Sequence, residues 1–383
     1  VATVSTTVAV IHASSELYGS DRVVLRSVAG LDRERYEALV VLPRPGPLVE
    51  RLRALDVEVC LAPVLGVTRP ERRNPLRWLA GAPGALSGLD RALRGREVAL
   101  VHSHTLAAWG GGLWARRRGV PHLWHVHELA PPWARRLLSR MVAETSARVI
   151  CNSQATREAL VGGAPALAFR SEVRHPYVEV APSAERRESD PSLRVAWGFE
   201  PQDLVVAVVG RLSPRKGQLL ALEAFERAAV EGSRLLLVGD PAPGHEGYEG
   251  VLRARIARSP RWRHVRRLPF QEQILPLLAA CDLALVPSQE PEGFGLVAAE
   301  AQAVGCPVLA SRLGGLAEVV AHEETGLLLP HGDSGAWSAA VQRVLGDPDL
   351  RTRWGTAGPE RARGLNGSPA WVADVYDSLL RPA

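Results

Sequence analysis

One lysine, Lys216, stands among the 46 lysine and arginine residues of this 383-residue chain. Every other long cationic side chain is an arginine, so compact ammonium groups are almost absent. Cysteine is scarce as well: Cys60, Cys151, Cys281 and Cys306 lie far apart and form no Cys-x-x-Cys pair. That excludes a disulfide framework and reads as four reduced thiols, three of them in or beside apolar strand-like runs. No apolar run reaches the length of a membrane-spanning helix. The opening residues, VATVSTTVAVIHAS, lack the charged n-region of a secretory signal, and a cytoplasmic protein is expected. No Gly-x-Gly-x-x-Gly follows the first strand of either half, which argues against a nicotinamide or flavin cofactor.

Hydrophobic residues make up 46% and charged residues 23%, the balance of a globular chain long enough for about two domains. A net charge of +5 and a pI near 9.4 favour anionic partners. Basic segments at Arg116–Arg118 and 69–78 (RPERRNPLRW) offer peripheral contact with an anionic membrane, although a solvated face is the plainer reading of each.

Short β-branched runs alternate with helical patterns, as in parallel α/β sheets. The first series is Thr7–Ala13, Ala38–Pro43, Val57–Pro63, Val98–His102, His122–His127 and Arg148–Asn152. The second is Leu204–Gly210, Arg234–Gly239, Val265–Pro269, Leu283–Pro287, Pro307–Ser311 and Gly326–Pro330. Each predicts a doubly wound sheet of about six strands. The expected division is a domain over 1–177, a Pro-, Ser- and charge-rich linker over 178–194, and a second domain over 195–365. A closing helix over 366–383 carries Val372, Val375, Tyr376, Leu379 and Leu380 on one stripe, suited to packing back on the first domain. Two Rossmann-like, doubly wound domains facing across a cleft is the fold class.

In the second half, Gly210 and Arg211 end a strand and Lys216 follows in the loop. Carboxyl ends of such strands face the ligand crevice. Arginine offers phosphate a planar fork and lysine a mobile point charge. Further on, SQEPEGFGLVAAEAQ places Glu292, Gly293, Phe294 and Gly295 in a loop before a helix that starts at Leu296 and contains Glu300. The glycines let backbone N–H groups approach a ligand, and the helix head suits an anion.

These segments resemble the GT-B glycosyltransferases, family 4 in particular. Glu292 and Glu300 match its Glu-x7-Glu motif, Gly210, Arg211 and Lys216 match its Gly-Arg strand end and lysine, and Gly314–Asp333 (GGLAEVVAHEETGLLLPHGD) resembles its later segments. The resemblance implies retaining transfer from a nucleotide-diphosphate sugar, such as a UDP-, GDP- or dTDP-sugar, to a hydroxyl acceptor, with no nucleic acid involved. It implies that Arg211 and Lys216 neutralise the diphosphate, Glu292 meets the donor sugar and Glu300 the ribose.

In the first half, VHSHT and HVHE carry His102, His104, His125, His127 and Glu128 at strand ends. Alternate residues of a strand share a face, so each histidine pair converges. A zinc or dinuclear metal site is the rival reading, set aside because no His-x3-His, clustered cysteine or Asp-rich partner supports it. The family resemblance makes WHVHEL the segment whose histidine points at the reacting carbon, with His125 ahead of His127. His104, His127, Glu128 and Tyr18 are candidates for the acceptor side. ELYGSDRVV resembles the family's glycine loop, where Gly19 meets phosphate or acceptor. Tyr18-Gly19-Ser20 departs from the commoner Gly-Gly there, as His175-Pro176-Tyr177 does from Asn-Gly before the linker. Asp347-Pro348-Asp349 falls between helical patterns and reads as a capping turn, so no metal and no other cofactor is expected. Three rivals stand beside this reading: a sugar-nucleotide epimerase that needs no acceptor, a metal hydrolase built on the paired histidines, and a nucleotide-sugar binder without turnover.

Overall fold

The structure, a computed structural model, describes residues 5–64, 82–180, 191–367 and 371–381. The chain divides into two compact units, Val1–Tyr177 with Gly367–Ala383, and Val178–Asn366. The first unit holds β1 (Thr6–His12), β2 (Tyr36–Leu42), β3 (Glu58–Leu61), β4 (Val98–His104), β5 (His122–Val126), β6 (Arg148–Cys151) and β7 (Ser171–Val173). They form one parallel sheet in the order β3-β2-β1-β4-β5-β6-β7. The second unit holds β8 (Leu204–Val209), β9 (Ser233–Val238), β10 (Val265–Leu268), β11 (Leu283–Val286), β12 (Val308–Ser311) and β13 (Gly326–Leu329). These are parallel in the order β10-β9-β8-β11-β12-β13.

Parallel strands buried on both faces read as unbroken apolar runs, and LVVAVV in β8 and LALV in β11 are such runs. The first sheet has one strand more than the sequence suggested. β7 is three edge residues, SEV, too short to register as an apolar run. In each sheet the order reverses once, between β1 and β4 and between β8 and β11. Those switch points, at their carboxyl edge, are where a doubly wound sheet binds ligands.

The linker expected over 178–194 is corrected at both ends. Asn366 clasps Val178 through two 2.7 Å hydrogen bonds: the Val178 N–H donates to Asn366 Oδ1, and Asn366 Nδ2 donates to the Val178 carbonyl. Pro191–Ala196 is a helix of the second unit. Its Arg194 is buried, pairing with Asp282 at 3.0 Å and donating to the carbonyls of Ala280, Pro201 and Asp203. Composition reads such an arginine as solvent-facing, but a fully paired guanidinium can be interior. Residues 181–190 of that stretch, and the basic segment 69–78, lie outside the described residues.

The closing helix, Trp371–Leu380, belongs to the first unit. Tyr376 Oη meets His102 Nδ1 at 2.7 Å, and Asp377 accepts from Arg35 and Tyr36. Asp347 caps the Pro348–Leu365 helix, accepting from the Leu350 N–H at 2.8 Å, so Asp347-Pro348-Asp349 is a capping turn. No helix among the described residues is long and apolar enough to cross a membrane.

Candidate active site

In the second unit, β8 gives way to Gly210 and Arg211, and the chain turns through Pro214–Lys216 as a single 3₁₀ turn. Gln218, which the sequence reading passed over, pins this loop. It donates to the Arg211 carbonyl at 2.9 Å and accepts from the Ser213 N–H at 3.4 Å. Gly217 lies at φ +69°, with the Pro287 carbonyl oxygen only 1.9 Å from where a Cβ would sit. No other residue fits that approach. The loops after β8 and β11 are also hydrogen-bonded: the Gln289 N–H donates to the Arg215 carbonyl at 2.8 Å, and Arg215 donates to the Pro291 carbonyl at 2.9 Å.

This stitching brings the lone lysine to a carboxylate far away in sequence. Lys216 Nζ donates to Glu292 Oε1 at 2.6 Å, and Ser288 Oγ donates to the same oxygen at 2.5 Å. Burial by itself would raise the Glu292 carboxyl. The Lys216 ammonium, the Arg215 guanidinium and the two hydrogen bonds outweigh it and bring the group down to about 2. Glu292 is therefore an ionised carboxylate at neutral pH. Its backbone is seated on Gly314-Gly315, where the Gly315 N–H donates to the Glu292 carbonyl at 2.9 Å and Gly314 lies at φ +56°. A Cβ on Gly314 would stand 2.3 Å from that carbonyl oxygen.

Gly293 and Gly295 follow, and Gly295 precedes the helix Leu296–Ala303. The Phe294 ring between them is 3% exposed and packs in the apolar core. Glu300 is fully buried within the helix.

In the first unit, five of the chain's 11 histidines gather at the switch point. His12 ends β1, His102 and His104 lie on β4, His125 lies on β5 and His127 just beyond it. Register sets His104 opposite both His12 and His125. His104 Nδ1 meets His127 Nε2 at 3.0 Å. His12 and Asp21 were missed by the sequence reading. They pair at 2.8 Å with no exposure, and the other Asp21 oxygen accepts from the Tyr18 N–H at 2.9 Å. A histidine closing a strand and an aspartate in the next helix's first turn were the available signal. Tyr18 is half-buried at the head of the helix Gly19–Ala29, and Gly19 is its exposed first residue.

His125 and His127 differ in their surroundings. His125 is 1% exposed, stacked at 5.9 Å on His102 and edge-on at 5.3 Å to Trp371 of the closing helix. His127 lies past the strand end and is half-buried, its carbonyl held by Asn152 Nδ2 at 2.9 Å. Glu128 serves the backbone, accepting from the Leu106 N–H at 2.7 Å and the His127 N–H at 3.3 Å. Arg116–Arg118 is an ion-paired surface face, with Arg118 at 2.7 Å from Asp90 and Arg116 at 3.4 Å from Glu144.

Residues 18–175 match the family described as Glycosyltransferase Family 4, and residues 189–361 match Glycosyl transferases group 1. A D-inositol 3-phosphate glycosyltransferase of Corynebacterium efficiens is 32% identical over 89% of this chain and 84% of its own length. Another, of Jonesia denitrificans, is 34% identical over 66% of this chain, and the match spans 64% of that relative. The crystal structure of Anabaena HepE with UDP is alike in fold, with a TM-score of 0.80 at 23% identity over 98% of this chain and 100% of its own. The chain is thus a member of glycosyltransferase family 4, built of two Rossmann-like units of the GT-B fold.

Proposed function

We propose that this glycosyltransferase moves a sugar from a nucleoside diphosphate sugar to an acceptor hydroxyl with retention at the anomeric carbon. The Lys216–Glu292 pair at the second switch point carries this reading: one compact cation and one ionised carboxylate on loops locked together. Arg211 and Lys216 neutralise the diphosphate, and the Gly293–Gly295 backbone with the helix behind it offers N–H groups. Glu292 takes the donor sugar's hydroxyls and Glu300 the ribose. His127, at the strand end, is our choice for the histidine facing the reacting carbon.

As the bond from the anomeric carbon to the diphosphate oxygen breaks, the acceptor oxygen bonds that carbon on the same face. The acceptor proton passes to the departing diphosphate. Negative charge then grows where Lys216 and Arg211 stand, so the transfer needs no metal at the diphosphate. The relatives' names put inositol 3-phosphate first among acceptors to try, and the neighbour solved with UDP puts uridine nucleotides first among donors. We also infer a cytoplasmic site of action, supported by the buried, unbridged thiols of Cys151, Cys281 and Cys306. Peripheral membrane contact is assigned to Trp133, Arg136, Leu137 and Arg140, all exposed, rather than to the ion-paired Arg116–Arg118.

The experiment is turnover in EDTA with UDP-, GDP- and dTDP-sugars, with and without inositol 3-phosphate or simple polyols, the products read by NMR. Acceptor-dependent release of nucleoside diphosphate, with the donor's anomeric configuration kept, is expected. An altered nucleotide sugar without acceptor would establish the epimerase instead. Inverted product, or a requirement for Mn²⁺, would overturn the metal-free retaining reading.

A further inference from the structure

The histidines of the first unit do more than line a strand end. His102 and His104 are two residues apart on β4 and so share a face, and His104 lies directly opposite His125 on β5. Strand register thus adds a third imidazole to the β4 pair. One ring nitrogen from each of the three lies within 4.8 Å of the other two. All three side chains are buried, at 1%, 0% and 1% exposure.

The ring nitrogens divide into two sets. His102 Nδ1 meets Tyr376 Oη, and His104 Nδ1 meets His127 Nε2. Among the described residues, the Nε2 atoms of His102 and His104 and both nitrogens of His125 have no hydrogen-bond partner. Four orphaned polar atoms at one buried spot are costly unless something occupies it. A metal-ligating histidine normally anchors its other nitrogen on a neighbouring polar group, and Tyr376 and His127 fill that place here.

We propose that His102, His104 and His125 bind a zinc-class divalent cation, through Nε2 of the first two and one ring nitrogen of the third. Three imidazoles and no carboxylate suit Zn²⁺ or Co²⁺ and not Mg²⁺, Ca²⁺ or Mn²⁺. Zinc–nitrogen bonds of about 2.0–2.1 Å set tetrahedral ligands roughly 3.4 Å apart, so the rings draw inward by about an ångström on binding. The ion ties β4 to β5 and, through Tyr376 on His102, to the closing helix. Its role is structural, separate from the diphosphate chemistry of the second unit.

The test uses the full chain, stripped with a chelator and desalted. Titration with Co²⁺ is expected to give the visible d–d bands of a tetrahedral or five-coordinate centre, saturating at one ion per chain. Zn²⁺, but not Mg²⁺, is expected to raise the thermal unfolding midpoint. His125→Gln and His104→Ala abolish the bands, and exposed His331→Ala keeps them. Bands that survive in both site variants would overturn the ligand assignment. Should those variants fail to fold, the wild-type chain decides: no bands and no zinc-dependent shift mean that the nitrogens enclose only water.

Discussion

At the scale of single residues, the lone lysine is explained by what it touches. Lys216 reaches Glu292 with 29% of its side chain exposed, and its stem lies over Gly210, whose Cβ position is 3.8 Å from Lys216 Cδ. An ammonium can leave the carboxylate for a diphosphate by rotating its stem. A guanidinium would hold Glu292 with a two-pronged fork and could not follow the leaving group as freely. Lys216→Arg is therefore expected to lower kcat about tenfold, equivalent to about 1.4 kcal/mol in the transition state, with a smaller change in donor KM. Steady-state kinetics at saturating acceptor, with Arg117→Lys as control, check this. A kcat near that of the wild type would leave the lysine an accident of composition.

At the scale of elements, β4, β5 and the helix Arg135–Thr145 meet at His122. Its Nδ1 faces the Thr145 carbonyl at 2.7 Å and its Nε2 faces Ser103 Oγ at 2.9 Å. Burial lowers the ring to about 4, although the hydrogen bond to Thr145 works the other way. Unfolded, it takes a proton near pH 6.5; folded, it resists until about 4. The unfolded chain then binds more protons between those values, so stability is complete above about pH 6.5 and drains away as the pH falls toward 4. The full effect is about 3 kcal/mol. His122→Gln keeps hydrogen-bonding capacity without the titration, and its melting midpoint is expected to fall less steeply from pH 7 to pH 4.5. Equal slopes by calorimetry would sink the argument.

For the molecule as a whole, the question is what its exposed apolar surface meets. Trp133, in the turn before the helix Arg135–Thr145, is 68% exposed, and Leu137 (61%), Arg136 and Arg140 are exposed on the helix itself. An indole and a leucine entering the headgroup layer, with arginines adding about 1 kcal/mol each at an anionic surface, suit a peripheral contact. Co-sedimentation with vesicles containing phosphatidylglycerol is expected to exceed that with phosphatidylcholine alone. A Trp133→Ala, Leu137→Ser double variant is expected to lose most of it. Equal binding to neutral vesicles, or an unaffected double variant, would remove the membrane from the account.

The alternation of apolar runs and helical patterns was legible along the chain because parallel strands buried on both faces must be continuously hydrophobic. The Glu292–Glu300 spacing, the glycine loop and the isolated Lys216 were legible for a related reason: each lies within one short segment. Contacts across the sheets were not. The Lys216–Glu292 pair depends on Gly217 lying against Pro287, and the His102–His104–His125 triangle on the register of β4 with β5. Arg194 reads as linker by composition, and only the fold pairs it with Asp282; that the Phe294 ring packs in the core is likewise not legible in its glycine-flanked segment. Local pattern reports which face of an element is apolar. Which strand lies beside which, and therefore which side chains meet, is settled only when the whole sheet closes its hydrogen bonds and core together.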